Sequence, residues 1–288
     1  MFEDAKRIYD QKTIEVKYII INAVVFLLIK IATFVQFAMS SSFDFATDAL
    51  SLPASLGTLA YKPWTIFTYM FTHVGIWHLV SNAIWLYFGG RIFADLLGRD
   101  KFIKTYWMGG IMGGLFYLIA YNLAPPLIAD TAVLMGASAS VIAIFIATAV
   151  SFPNYTVMLP VIGPAKLKYI AIVFIIIALP LTHGNEGGHI AHFGGLTWGI
   201  LWALYLKKGL DIGSWFYGFM NWFGAFGKPK ERVSRSRKKS NKRNVRSEKR
   251  KNDLPNQHEI DRILDKVGKS GYESLSKEEK NILFNASK

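Results

Sequence analysis

Long uninterrupted runs of apolar residues constrain this chain more than any other feature of its sequence. A helix needs about 20 apolar residues to cross the roughly 30 Å hydrocarbon core of a bilayer. Six stretches are candidate spans: Tyr18–Ala38, Ile76–Phe93, Phe102–Leu123, Ala137–Phe152, Tyr169–Leu181 and Ile190–Leu206. Because lipid offers no water to unpaired backbone groups, these stretches predict closed helices. The predicted fold class is therefore an all-α, polytopic membrane protein built as a six-helix bundle.

Basic residues alternate between the two sides of the predicted spans. Lys and Arg precede the first span, lie between the second and third and between the fourth and fifth, and follow the sixth. The loops at 124–135 and 182–188 contain neither, and the loop at 39–75 contains only Lys62. The positive-inside rule then predicts that both termini are cytoplasmic. The N-terminus has acids among its bases and its first apolar run lacks a small-residue cleavage site, so we expect a cytoplasmic start and not a removable signal peptide.

The composition changes sharply after the last span. Residues 228–251 contain thirteen Lys or Arg and two Glu, a net charge of +11 within a total of +13. Nucleic-acid binding is one interpretation of such a run. A polybasic stretch next to a final span more often fixes topology and contacts anionic lipid headgroups. We therefore expect the bilayer as the partner of this tail, and no nucleic acid.

Composition and periodicity divide the chain into four predicted segments. They are a cytoplasmic N-terminal segment at 1–17, the six-helix membrane domain at 18–208, an amphipathic then polybasic linker at 209–254 and a small cytoplasmic helical appendage at 255–288. In the appendage, apolar residues at helical spacing predict one helix that ends at Gly271. Ser276 and Glu279 then predict a capping box at the start of a second helix.

Polar residues inside predicted spans are expensive and therefore point to function. In the second span His78 and Asn82 are four residues apart and share one helix face, and His73 precedes them. Ser138 opens the fourth span, and His192 lies in the first turns of the sixth. The second, fourth and sixth spans all enter the membrane from the outside. These residues are therefore predicted to lie at one depth, in the outer third of the bilayer.

This set of residue types suits nucleophilic catalysis. A hydroxyl needs a nearby base, and neutral imidazole is the usual one near pH 7. A tetrahedral oxyanion needs preorganised donors, which an Asn amide, an imidazole and a backbone N–H supply. The helix starts contain no Asp or Glu apart from Glu186, placed in a predicted loop. We therefore expect a Ser–His dyad without a third carboxylate.

The sequence gives little support to a metal or an organic cofactor. The chain has no cysteine, which excludes disulfides and thiolate ligands. The two histidines of the second span are five residues apart, and the Glu of an H-E-x-x-H zinc motif is missing. We expect neither a metal nor a cofactor.

Three motifs, in this order and on the second, fourth and sixth spans, resemble those of the rhomboid proteases. They are His73-x4-His78-x3-Asn82, Gly136-Ala137-Ser138 and Ala191-His192-x-x-Gly195. The resemblance covers about residues 15–208. It departs at Ala139, where the family usually has Gly, and at Trp64-Thr65, where Trp-Arg is often found.

The resemblance assigns roles to the polar residues. It implies Ser138 as the nucleophile and His192 as the general base. It implies an oxyanion site made by His78, Asn82 and the Ser138 backbone N–H. His73 would support that site, and the glycines Gly136 and Gly195 would permit close helix packing.

The resemblance also implies an activity and a place. The protein would be an intramembrane serine endopeptidase that cuts transmembrane segments of protein substrates near the outer leaflet. It would be a multi-pass protein of the bacterial cytoplasmic membrane.

Three other interpretations stay open at this point. A rhomboid-like pseudoprotease would hold membrane clients without cutting them and predicts loss of Ser138 or His192, both of which are present. A bis-histidine haem protein leaves Ser138 and Asn82 without a role. A transporter predicts an internal repeat and a membrane carboxylate for ion coupling, and the sequence has neither.

Overall fold

We analysed a computed structural model of the protein. It describes residues 9, 12–39, 45–124, 132–160, 162–179, 185–213, 218 and 257–286. The chain forms two compact units, residues 1–227 and residues 228–288, and each is described by itself.

The first unit contains nine α-helices in its described part. They are α1 (Ile14–Ala38), α2 (Phe45–Leu50), α3 (Leu56–Tyr61), α4 (Thr65–Thr68), α5 (Ile76–Leu97), α6 (Arg99–Leu123), α7 (Ser138–Ser151), α8 (Leu167–Ala178) and α9 (Glu186–Lys207). A 3₁₀ turn at Tyr69–Phe71 follows α4. The six predicted spans correspond to α1, α5, α6, α7, α8 and α9.

The helices differ in length from the predicted apolar stretches. α1 begins at Ile14, ahead of the predicted Tyr18, because the polar turn before Tyr18 continues the helix. α5 runs on to Leu97 and stops at Gly98, whose φ of +89° favours glycine. α8 ends at Ala178, and Pro180 and Leu181 of its predicted span lie outside the described residues. Polar residues thus extend α1, α5, α6 and α9 beyond their apolar runs, whereas α7 is one residue shorter than its predicted span at each end.

The apolar helices of the bundle differ in length. Among the described residues, α1 alone is long and apolar enough to pass as a membrane span on length and composition, with a mean hydropathy of 2.4. α7 and α8 are apolar but shorter. The apolar side chains exposed on α1 include Leu27, Leu28 and Ile31, each at least 58% exposed. An apolar surface of this kind suits contact with lipid tails.

Helix α7 lies at the centre of the bundle. All of its residues from Ala139 to Ala149 are buried. α9, α6, α5 and α8 pack around it, and α9 also packs against α6. Ser138 is the first residue of this central helix, so it lies at a point where the other helices surround the chain.

Two short antiparallel strand pairs were not predicted from the sequence. β1 (Leu52–Pro53) pairs with β2 (Val133–Leu134), with Leu52 opposite Leu134. This pairing joins the first long loop to the segment before α7. β3 (Thr156–Leu159) and β4 (Gly163–Lys166) form a hairpin between α7 and α8. Such short strands have too little alternation to be recognised in sequence.

The second unit contains α10 (Gln257–Ser270), a 3₁₀ turn at Tyr272–Ser274 and α11 (Lys277–Ala286). Gly271, with a φ of +76°, separates the helices, as predicted. The predicted capping box is present, because the Glu279 N–H donates to Ser276 Oγ and the Ser276 N–H donates to Glu279 Oε2. The predicted polybasic linker lies outside the described residues.

Candidate active site

The turn before α7 places Ser138 at the start of a buried helix. The N–H of Gly136 donates to the Tyr69 carbonyl at 2.9 Å, which holds the turn against the 3₁₀ segment. Gly136 has a φ of +117°, and a Cβ there would lie 2.5 Å from Cε1 of His78. Only glycine fits both the backbone and the contact. Ser138 is the first residue of α7 and its side chain is half-buried.

Helix α9 brings His192 to Ser138. Nε2 of His192 lies 2.7 Å from Oγ of Ser138, although 54 residues separate the two. Nδ1 of the same ring lies 2.6 Å from the carbonyl oxygen of Ala178. Because a carbonyl oxygen accepts and cannot donate, Nδ1 carries the proton. Nε2 is then free to accept from the serine hydroxyl, which is the arrangement that a general base requires.

His73 lies just before α5 and connects that helix to the turn of α7. Its Nδ1 donates to the Phe71 carbonyl at 3.3 Å, and its Nε2 accepts from the Ala137 N–H at 3.4 Å. Nε2 also faces Nδ2 of Asn82 at 3.2 Å. With a backbone N–H on it, Nε2 is an acceptor, so the Asn82 atom that faces it is the amide nitrogen. His73 therefore fixes the orientation of the Asn82 amide.

The Asn82 amide is already engaged in this arrangement. Nδ2 has two N–H groups, and it donates to the His78 carbonyl at 3.0 Å as well as to His73. The imidazole of His78 is half-buried beside the His73 ring, with 5.0 Å between the ring centroids. The structure thus brings together all of His73, His78, Asn82 and Ser138.

A cavity of about 250 Å³ opens at the Ser138–His192 pair. Its polar lining comes from α5, α7 and the start of α9, and includes His78, Ser81, Asn82 and Asn185. Its remaining walls are apolar and include Trp85, Ile142, Phe174 and Ile177. An apolar pocket with a few converging polar groups is the usual form of a binding site.

Comparison with known proteins decides the family. The family model for the rhomboid domain matches residues 60–209. The chain belongs to the rhomboid family. It is accordingly a membrane protein of the all-α, helical-bundle class. Residues 244–288 match a second model, described as a family of unknown function (DUF6576).

Curated relatives match this rhomboid over about half of its length. Rhomboid protein 1, mitochondrial, of Saccharomyces cerevisiae is 29% identical over 49% of this chain and 41% of its own. RHOMBOID-like protein 12, mitochondrial, of Arabidopsis thaliana is 34% identical over 50% and 47%. Presenilin-associated rhomboid-like protein A, mitochondrial, of Danio rerio is 28% identical over 47% and 35%. The chain thus spans less than half the length of the curated relatives it matches.

The rhomboid bundle depends on glycine at the contact between α7 and α9. A Cβ at Gly195 would lie 2.2 Å from the Ala139 carbonyl oxygen, far inside contact distance. The methyl group of Ala139 points at α6, where a Cβ on Gly113 would lie 2.5 Å from it. Gly113 therefore makes the space that the side chain of Ala139 occupies. The departure from the usual family residue at this position fits the fold.

Two polar residues near the helix starts are not part of the cavity lining. Ser140 is fully buried and its Oγ has no hydrogen-bond partner among the described residues. It faces Gly110 of α6, away from His192. His189 is 7% exposed, and its ring centroid lies 5.8 Å from that of His192. Across the described ranges, no group of three or more His, Asp or Glu side chains is arranged to hold a metal ion.

The contribution of α8 to the site was not predicted from the sequence. Phe174, Ile177 and Ala178 of this helix line the cavity, and all three are apolar. An apolar helix in a membrane protein carries no pattern that separates a cavity wall from a lipid-facing surface. Sequence analysis named His78, Asn82, Ser138 and His192 of the cavity lining, and it missed Ser81, Asn185 and these apolar residues.

Proposed function

We propose that this rhomboid is an intramembrane serine endopeptidase that uses a Ser138–His192 dyad. The observation that carries the proposal is the 2.7 Å separation between His192 Nε2 and Ser138 Oγ at the cavity. The Nδ1 contact of His192 leaves Nε2 as the acceptor. A hydroxyl next to an acceptor imidazole, open to a cavity, is an activated nucleophile.

The reaction proceeds in two stages. His192 Nε2 takes the Ser138 proton as Oγ bonds to the scissile carbonyl carbon, and the carbonyl oxygen becomes an oxyanion. The Nε2 proton then passes to the leaving amine as the C–N bond breaks, which leaves an acyl-enzyme. A water molecule, deprotonated by the same nitrogen, hydrolyses the ester and restores Ser138.

Donors for the oxyanion come from two directions. The backbone N–H of Ser138 is at the start of α7, where helical N–H groups have no intrahelical acceptor. The imidazole of His78 lines the same cavity. Asn82 supports this site through its hydrogen bonds to His73 and to the His78 carbonyl. When one of these bonds breaks, the released N–H donates to the oxyanion instead.

The length of α7 supports chemistry below the membrane surface. Its 14 residues make a helix of about 21 Å, shorter than the roughly 30 Å of hydrocarbon. Ser138 at its first residue is then recessed from the surface. A helical peptide bond is sterically shielded, so substrates must unwind locally to reach Ser138. We therefore propose transmembrane proteins with helix-destabilising residues as substrates, cut near the outer leaflet.

Topology, domain limits and location are proposed from the distribution of charge. Six spans with both termini in the cytoplasm account for the alternation of Lys and Arg. The proposed segments are 1–17, 18–208, 209–254 and 255–288, with the basic linker at anionic lipid headgroups. The proposed location is the bacterial cytoplasmic membrane. Single cysteines introduced at Lys62 and Lys101, labelled with an impermeant reagent, should react from opposite sides.

A cleavage assay separates the protease from a client-holding pseudoprotease. Purified wild type in detergent should cut a model transmembrane substrate, and Ser138→Ala and His192→Ala should not. Ser140→Ala is the matched control and should retain activity, because its hydroxyl faces α6. Undiminished turnover by Ser138→Ala, free of host proteases, would refute the proposal. Substrate binding without cleavage by wild type would favour the pseudoprotease.

A further inference from the structure

The imidazole of His192 makes a second polar contact, with the backbone of α8. Its Nδ1 lies 2.6 Å from the carbonyl oxygen of Ala178, the last residue of that helix. We propose that the Ala178 carbonyl is the positioning group of the base, and that it holds His192 in the tautomer whose Nε2 lone pair faces Ser138. This proposal rests on the proposed protease function. The Ala178 carbonyl takes the role that the third side chain has in a catalytic triad.

The two contacts hold the ring at both nitrogens. Nε2 is 2.7 Å from Ser138 Oγ and Nδ1 is 2.6 Å from Ala178 O, so rotation of the ring in either direction breaks one of them. The hydrogen bond at one ring nitrogen decides which tautomer is populated. In a Ser-His-Asp triad a carboxylate does this. Among the described residues that line the cavity there is no Asp or Glu. The Ala178 carbonyl contacts Nδ1 of His192 in place of a carboxylate.

The Ala178 carbonyl is available because it is at a helix end. The last four carbonyls of an α-helix have no intrahelical donor. The C-terminal end of a helix also has a partial negative charge. That charge favours the imidazolium that forms when Nε2 takes the proton of Ser138. Nδ1 keeps its own proton throughout, so no proton is transferred to Ala178.

This contact makes the base sensitive to the position of α8. The helix packs on its neighbours through Leu167, Ala171 and Phe174, which are buried. On its other side Val173 and Ile176 are 55% and 70% exposed. An outward shift of the C-terminal end of α8 would separate Ala178 from His192 and break this contact. α8 therefore contributes to catalysis although none of its cavity-lining residues has a polar side chain.

An amide-to-ester replacement tests the role of a backbone carbonyl without changing a side chain. The α-hydroxy acid analogue of leucine in place of Leu179, with oxygen replacing the backbone nitrogen, converts the 178–179 amide to an ester, whose carbonyl is a weaker acceptor. It also removes the N–H that donates to Ile175. The matched control is the α-hydroxy analogue of Ile176, an exposed residue outside the cavity lining, which removes one helix bond elsewhere in α8. Both are made in the full chain in detergent.

Two readouts are measured on each protein, the kinetics of cleavage and the ¹⁵N spectrum of labelled histidine, assigned with His192→Gln. In wild type the proton should be on Nδ1 near neutral pH. The ester at 179 should lower kcat about tenfold relative to the ester at 176, with KM unchanged, and should shift His192 toward the other tautomer. A wild-type proton on Nε2, or equal kcat and equal spectra for the two esters, would overturn the inference. Absence of cleavage by wild type would instead refute the proposed function, and the wild-type spectrum would still decide the tautomer.

Discussion

At the scale of single residues, His73 and Asn82 act as one unit. His73 Nε2 receives both the Ala137 N–H and the Asn82 amide, so it holds α5 and the turn before α7 in register. Removing either side chain breaks the hydrogen bond between them, while His73 keeps the Ala137 N–H and Asn82 keeps the His78 carbonyl. Because both changes remove the same bond, their effects should overlap.

We predict that His73→Ala and Asn82→Ala each reduce the cleavage rate, by about 10²-fold, the effect of losing one preorganised donor. The double variant should be no slower than the slower single variant, because both break the same connection. The check is a double-mutant cycle on kcat/KM with a model substrate. The control is Thr148→Val, because this hydroxyl donates to the Ile144 carbonyl of its own helix and lies outside the cavity lining. Strictly additive losses would show that the residues act separately.

The sequence indicated that His78, Asn82, Ser138 and His192 lie close together, but only some of the hydrogen bonds between them could be predicted. Helical spacing placed His78 and Asn82 on one face, and topology placed Ser138 and His192 at one depth. The contact of Asn82 with His73 was not predicted, since His73 precedes the helix and lies off its 3.6-residue period. The Ala178 carbonyl was beyond sequence analysis, because every residue has a backbone carbonyl and only the tertiary fold determines which one meets a histidine.

At the scale of secondary structure, the contact between α7 and α9 determines the geometry of the dyad. Glycine at 195 lets the backbones approach, and Ser138 and His192 are each within a turn of that contact. Close packing at Gly195 was expected from the resemblance to the rhomboid proteases. The strand pairs β1–β2 and β3–β4 escaped prediction because they are only two to four residues long.

We predict that Gly195→Ala destabilises the protein by about 1–3 kcal/mol, the usual cost of forcing a methyl group into a filled contact. It should also lower activity, because separating α7 from α9 lengthens the distance between Ser138 Oγ and His192 Nε2. The measurement is the midpoint of unfolding in mixed detergent together with cleavage. Gly57→Ala is the control, as a Cβ there meets only Ser55 Oγ at an ordinary 3.6 Å. Wild-type stability of Gly195→Ala would contradict the packing account.

A second connection between elements is the ion pair of Asp211, which follows α9, with Lys104 of α6. Trp202 Nε1 also donates to Asp211 at 3.1 Å. Burial alone would raise the pKa of Asp211, but the hydrogen bonds from Lys104 and Trp202 and the charge of Lys104 lower it overall. A carboxylate whose pKa is lower in the folded state stabilises the fold above its ordinary pKa. That stabilisation is lost as the pH falls through the folded-state value.

We predict that Asp211→Asn lowers the free energy of unfolding at neutral pH by about 1–3 kcal/mol, since the largely buried Lys104 loses the opposite charge of Asp211. The difference from wild type should shrink as the pH falls below the ordinary aspartate value of about 4 and through the lower folded-state pKa of Asp211. Unfolding midpoints measured across this range test it. Asp95→Asn is the control, because its pair with Arg91 is largely exposed and contributes little. If the difference in stability between the two proteins did not depend on pH, the Asp211 carboxylate could not be its cause.

At the scale of the whole molecule, the residues of the proposed dyad and the second unit lie in separate parts of the sequence. The rhomboid match ends at residue 209, and the second family match begins at residue 244. The fold class, the order of the helices and the family followed from apolar runs and three motifs. The role of the basic tail could not be predicted from the sequence, because a run of charges indicates an oppositely charged partner but identifies no specific contact.

We predict that removing residues 228–288 leaves cleavage of a short model substrate in detergent nearly unchanged. In anionic liposomes the cleavage rate of the truncated protein should differ from that of the full chain, because each basic residue near such a surface contributes about 1 kcal/mol of attraction. The two proteins are compared side by side in detergent, neutral liposomes and anionic liposomes. A collapse of activity in detergent would show that the second unit supports the catalytic domain directly.

Fluorophosphonate labelling, with its site and rate read by peptide mass spectrometry, tests the proposed Ser138–His192 dyad most directly. We predict an adduct on Ser138 in wild type, formed as Oγ bonds to phosphorus and fluoride leaves. His192→Ala should slow this labelling by about 10²–10⁴-fold, the contribution of a general base. Ser140 should stay unmodified in both proteins. A wild-type protein without an adduct on Ser138, or an equal labelling rate in His192→Ala, would contradict the account.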